Sequence, residues 1–151
     1  VQIQSSARIE APLDKVWDLL QDIPRVATCM PGAEITETVD DHTWKAKVGV
    51  KVGPLSVGYN ATITRKSLDA AAHSATMQVE AVDGKGRGTV SASIVTSAQS
   101  NGDATDIDVL ADATVSGTIG QMGQGVLKEV SGRMLKIFAA NVAKAVNTPA
   151  S

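Results

Sequence analysis

A chain of 151 residues and 15.6 kDa has the size of one ordinary domain, long enough to bury a core without a disulfide or a structural metal. Lys plus Arg total 14 against 16 for Asp plus Glu; the formal charge of −2 excludes a nucleic-acid binder that works through global charge. The single cysteine, Cys29, excludes an internal disulfide, and no apolar run is long enough for a membrane-spanning helix.

Val1–Glu10 alternates Ile3, Ser5, Ala7 and Ile9 with Gln2, Gln4, Ser6 and Arg8, a period of two that predicts a strand. Ala11-Pro12 ends it and opens a helix, because Pro12 lacks an N–H and fits a first helical turn. Val16, Trp17, Leu19, Leu20 and Ile23 follow at helical spacing, with Asp14 at the positive end of the helix dipole. Pro24 is expected to end or kink this helix, leaving Arg25–Thr28 as one short turn before Cys29-Met30-Pro31-Gly32.

The middle of the chain reads as a meander. Glu34–Val39 is a short strand closed by Asp40-Asp41, and Thr43–Val52 alternates Trp44, Ala46, Val48 and Val50 with Lys45, Lys47, Gly49 and Lys51. After Gly53-Pro54 the next inward row is Leu55, Val57, Tyr59, Ala61 and Ile63. Ala75, Met77, Val79 and Ala81 follow a loop around Asp69–His73. Val90, Ala92 and Ile94 follow Gly84–Gly88. Ile107, Val109, Ala111, Ala113 and Val115 follow the turn at Asn101-Gly102. Seven strands with polar outer positions predict an antiparallel sheet wet on one face.

The last segment changes period. Ile119, Met122, Val126, Leu127, Val130, Met134, Ile137, Phe138, Val142 and Val146 step by three or four, a long amphipathic helix. Gly120, Gly123, Gly125 and Gly132 weaken its first half by about 1 kcal/mol each relative to Ala, so packing must hold it. The order predicts an α+β helix-grip fold: a seven-stranded antiparallel sheet wrapped around the C-terminal helix, with an internal apolar cavity as its default product. One domain covers residues 1–147, and 148–151 read as a truncated tail.

No catalytic constellation stands out. His42 and His73 read as exposed turn histidines, Asp40-Asp41 as a solvated turn, and Asp103, Asp106, Asp108 and Asp112 as charges on a turn and a wet strand face. Cys29 reads as a buried structural thiol. Gly84-Lys85-Gly86-Arg87-Gly88 lacks the strand-to-helix context of a phosphate cradle and reads as a hairpin tip. The predicted inward rows hold no His, Asp, Glu, Lys or Arg, which leaves Tyr59 as the lone acid–base candidate.

The core is built from small residues: 21 Ala and 18 Val, against Trp17, Trp44, Tyr59 and Phe138 as the aromatics. Slim inward rows facing Met122, Val126, Val130 and Met134 have two outcomes, close sheet-to-helix packing or a tunnel for a long apolar molecule. On the second, the lining residues are Trp17, Leu20, Met30, Leu55, Val57, Tyr59, Met77, Val79, Ile94, Val109, Ala111, Met122, Val126, Leu127, Val130 and Met134. The helix also carries Lys128, Arg133, Lys136 and Lys144 against Glu129, and Lys45, Lys47, Lys51, Arg65 and Lys66 add a basic stretch. These form a solvated face, or a contact for an anionic membrane or partner worth about 1 kcal/mol per basic residue.

Ala11-Pro12, Val16-Trp17, Leu20 and Asp22, followed by Cys29-Met30-Pro31-Gly32-Ala33-Glu34, resemble the carbon monoxide dehydrogenase G-subunit family of the START-like (SRPBCC, polyketide-cyclase-like) helix-grip superfamily. Val50-Lys51-Val52-Gly53-Pro54 resembles the family's "VKVGP" hairpin. Gly117-Thr118-Ile119-Gly120-Gln121-Met122-Gly123 resembles its helix-opening motif, with Gly120 for the common Ala and Met122 for the common Leu, a change expected to widen the pocket mouth. The resemblance implies a non-catalytic accessory of an aerobic molybdenum hydroxylase of the carbon monoxide dehydrogenase type, cytoplasmic and peripheral on the inner face of the cell membrane. Joined to the cavity, it implies a non-covalently bound isoprenoid quinone, menaquinone or ubiquinone, as ligand, and no covalent cofactor, metal or nucleic acid. A polyketide cyclase/aromatase-like enzyme and a ligand-free structural adaptor are the alternatives.

Overall fold

Alternation of period two governs the chain from end to end of the sheet, and a computed structural model shows where it slips. It describes residues 2–52, 55–86, 88–117, 120–122 and 124–147, and the side chains of these except Val52, Leu55, Met122 and Gln124. The Gly53-Pro54 turn, Arg87, Thr118-Ile119, Gly123 and the tail at 148–151 lie outside the described residues. The elements are β1 (Gln2–Ile9), α1 (Leu13–Gln21), α2 (Ile23–Cys29), β2 (Ala33–Asp40), β3 (Thr43–Val52), β4 (Leu55–Asp69), β5 (Ser74–Asp83), β6 (Thr89–Asn101), β7 (Ala104–Val115), a 3₁₀ turn (Gly120–Met122) and α3 (Gln124–Asn147). The strands form one antiparallel sheet in the order β1-β7-β6-β5-β4-β3-β2, so β1 and β2 are its edges. This is the expected α+β helix-grip architecture.

Pro24 does not end the first helix. The break falls two residues earlier at Asp22, which is extended and whose carboxylate accepts the Arg25 N–H at 3.4 Å as an N-cap. Pro24 sits in the first turn of α2, where its missing N–H is not needed. Arg25–Thr28 therefore belongs to a full second helix.

In β4 the register slips between Arg65 and Ser67: Arg65 lies opposite Met77, Ser67 opposite Thr76 and Leu68 opposite Ala75. Alternation places Arg65 on the concave face, and the bulge that follows turns Leu68 to the same face. On β3, Lys45 and Lys47 lie opposite Glu37 and Glu34 of β2, so two of the five residues of the expected basic stretch face acids.

Two apolar clusters hold the helices to the sheet. In the larger, Ile9, Val16, Leu19, Cys29 and Ile107 pack with Phe138, Ala139 and Val142 of α3. Each large side chain buried there contributes about 1.5–3 kcal/mol. In the second, Val57, Tyr59, Ala61 and Ala81 pack with Val126, Leu127 and Val130 at the start of α3. Side-chain amides pin the far half of α3, with Asn141 donating to the Cys29 carbonyl and Asn147 to the Glu10 carbonyl, both at 2.9 Å. The buried Thr105 hydroxyl donates to the Ala11 carbonyl at 2.8 Å.

The turn after α2 depends on Gly32, whose φ is +80° and whose missing β-carbon lets it meet Gly49 of β3. The Gly49 N–H donates to the Gly32 carbonyl at 2.8 Å, and a β-carbon at 32 would overlap the Gly49 carbonyl oxygen. Gly32→Ala should therefore destabilise the fold by about 2 kcal/mol or more in urea unfolding. Gly132→Ala, in helical backbone with open space around it, should stabilise it by about 0.5–1 kcal/mol.

Candidate functional site

Between the two clusters the concave face of the sheet stays uncovered, and the space left is a cavity of about 390 Å³. Its floor comes from alternate residues of five strands: Ile3 and Ser5 of β1, Ile63, Arg65 and Leu68 of β4, Ala75, Met77 and Val79 of β5, Ile94 and Thr96 of β6, and Ile107, Val109 and Ala111 of β7. Ser131, Met134, Leu135 and Phe138, a single stripe of α3, roof it. Trp17 and Leu20 of α1, Ile23 and Val26 of α2, and Met30 form the end wall. Ala75 and Ala111 help keep the space open, each offering one methyl where a longer chain would reach across.

Trp17, Leu20, Met30, Met77, Val79, Ile94, Val109, Ala111 and Met134 are thus brought together around one space, as their positions in the sequence lead one to expect. Val57, Tyr59, Val126, Leu127 and Val130 are not. They interlock with each other in the second cluster, where the Tyr59 ring fills the space, so the tunnel does not run the length of the helix. The side chains of Leu55 and Met122 lie outside the described residues. Gly120 does not widen the mouth either: it lies off the cavity wall, packed against the Val115 carbonyl.

The inward rows do carry charge, contrary to expectation, because two of them run one step further than their apolar residues. Asp83 continues Ala81 and lies opposite Tyr59, with 6% of its surface exposed. Its carboxylate accepts the Lys85 N–H at 3.0 Å, at the closed end and off the cavity wall. Burial, and then the charge of Asp83, push the Tyr59 phenol above its ordinary value.

Arg65 continues Val57, Tyr59, Ala61 and Ile63, and does line the cavity. Its Nη1 donates to the Gln21 carbonyl at the end of α1 (2.9 Å) and its Nη2 to the Asp41 carbonyl (3.2 Å), with the guanidinium 5.4 Å from the Trp44 ring centre. Leu68, on the wall yet 42% exposed, marks the mouth beside it.

His73 is not a free turn histidine. It holds φ at 51°, is half-buried, and meets the Trp17 ring edge-on at 5.3 Å. His42, by contrast, is exposed in its turn beside Asp40. Cys29 lies in the larger core cluster.

Lys128, Arg133, Lys136 and Lys144 lie on α3, with Ile137 (41% exposed) among them, and Arg133 donates to the Lys51 carbonyl at 3.4 Å. Among the described residues no helix is long and apolar enough to cross a membrane, and no three His, Cys, Asp or Glu side chains gather as a metal site.

The family model described as the G subunit of carbon monoxide dehydrogenase (CoxG) matches residues 6–147. Among solved structures, the chain is similar to a conserved protein from Geobacillus kaustophilus at 20% identity and a TM-score of 0.84, over 97% of this chain and 95% of that one. It is also similar to the Zhui aromatase/cyclase from Streptomyces sp. R1128 (16%, TM-score 0.66, 97% and 93%) and to a START superfamily protein from Mycobacterium smegmatis (14%, TM-score 0.63, 96% and 96%). At these identities the likeness is one of fold. No match was found among curated proteins.

Two outcomes test this geometry. Ala111→Phe, which points into the cavity, should change urea-unfolding stability by less than about 1 kcal/mol, whereas Val130→Trp in the filled cluster should cost about 1–3 kcal/mol. Tyr59 is the chain's one tyrosine, so phenolate absorbance reports it alone and should show titration above pH 10. Above that pH the folded state holds a proton the unfolded state has lost, so stability should fall as pH rises, and Tyr59→Phe should flatten that fall.

Proposed function

Since the chain belongs to the carbon monoxide dehydrogenase G-subunit (CoxG) family, we propose that it is a non-catalytic accessory of an aerobic molybdenum carbon monoxide dehydrogenase, holding a respiratory quinone in its cavity and linking the enzyme to the membrane. The observation that carries this reading is the cavity: preformed and walled almost wholly by apolar side chains. Electrons from a soluble dehydrogenase must reach a quinone that water does not dissolve, and a mobile protein with an apolar pocket meets that need. A volume of about 390 Å³ takes a quinone ring and a short part of its tail, so most of a long isoprenoid tail stays outside the cavity. Lys128, Arg133, Lys136 and Ile137 of α3 suit an anionic membrane surface, a contact that salt should weaken.

A cyclase reading draws on the fold shared with the Streptomyces enzyme. It is the weaker one, because among the described residues the cavity wall holds no His, Cys, Asp, Glu, Lys or Tyr to give or take a proton.

Organic extraction of the purified protein should release a quinone, and deleting the gene should abolish membrane-dependent respiration on carbon monoxide while dye-linked dehydrogenase activity persists. Ala111→Phe should reproduce the deletion. Undiminished respiration in the deletion strain would overturn the proposal.

A further inference from the structure

Among the described residues Arg65 is the charged group of the cavity wall, and its position is built rather than incidental. Strand alternation points it inward opposite Met77, and the bulge that follows it turns Leu68 inward as well, so the guanidinium stands at the mouth between β4 and the joint of α1 and α2. Two of its five N–H donors are occupied, one by the Gln21 carbonyl and one by the Asp41 carbonyl, and Trp44 covers it from one side. Among the described residues no carboxylate lies within 4.0 Å of it. Arg65 also lines a second, polar pocket with Asp18, Asp22 and Asp41, so its guanidinium stands between that acidic pocket and the apolar cavity, where its remaining donors can meet an oxygen acceptor presented at the mouth.

Resting on the cavity being a ligand site, we infer that Arg65 reads the polar end of the ligand: it donates to one oxygen of an otherwise apolar molecule, a ring carbonyl in the case of a quinone. The cavity walls then set size and apolar fit, while Arg65 selects oxidised ring compounds over hydrocarbons of the same shape and orients them with that oxygen toward the mouth. A purely structural Arg65, a strap joining α1 to the turn between β2 and β3, would leave that preference untouched.

The test compares 1,4-naphthoquinone with naphthalene, followed by quenching of tryptophan fluorescence, since Trp17 lines the cavity. Wild-type protein should bind the quinone about tenfold or more tightly than the hydrocarbon. Arg65→Met should bring the two affinities together by weakening the quinone alone, and Arg65→Lys should restore part of the difference. An infrared difference spectrum of wild-type protein supplies a readout that no variant's folding can spoil. The two carbonyls of free 1,4-naphthoquinone are equivalent, and donation to one of them should split the band. An unsplit band, or a preference that survives Arg65→Met, overturns the assignment while leaving the cavity as a ligand site. Failure of wild-type protein to bind either compound overturns both.

Discussion

One helix cannot cover seven strands. At about 4.8 Å per strand spacing the sheet is roughly 29 Å across, whereas a helix with its side chains is about 10–12 Å wide. The concave face is apolar nearly throughout, so α3 can serve only part of it and the rest needs another lid. The pair α1 and α2, broken at Asp22 so that the two segments can change direction, covers one end. The cavity is what lies between these lids, and its walls follow from strand alternation on the floor and the α3 stripe in the roof.

What keeps the space from collapsing is the pair of clusters at its ends. The larger one locks Phe138, Ala139 and Val142 against Ile9 and Ile107, and Asn141 and Asn147 tie the same half of α3 to backbone carbonyls. The second holds the first turns of α3 on Tyr59 and its neighbours. A helix held at both ends bridges the middle, where Ala75 and Ala111 are too short to meet it. The unfilled wall gives up dispersion contacts. A bound molecule would restore them, and binding to the folded state alone would stabilise the fold by mass action.

Polarity is graded around this space. Beyond one end lie Tyr59 and the valines of the second cluster, with the buried Asp83 opposite Tyr59. The mouth carries Arg65 and the half-exposed Leu68, while most of the remaining wall is apolar.

The strands, the two helical regions, the antiparallel sheet and most of the cavity floor were readable from residue order, because period two and period 3.6 are local properties that burial enforces. The Cys29–Glu34 and Val50–Pro54 blocks pointed to the family, and beside them stands a steric demand: Gly32 and Gly49 must touch, and that contact tolerates no β-carbon on Gly32. The Asp22 cap that lets Pro24 open a helix is local as well, since it accepts an N–H only three residues on. Two matters were settled by tertiary packing. Val126, Leu127 and Val130 meet Tyr59 rather than empty space, since which half of a helix finds bulky partners depends on strands far away in sequence. Arg65 lies on an inward row by strand alternation, but its guanidinium finds carbonyls at Gln21 and Asp41, 44 and 24 residues away, and no pattern along the strand reveals partners that distant.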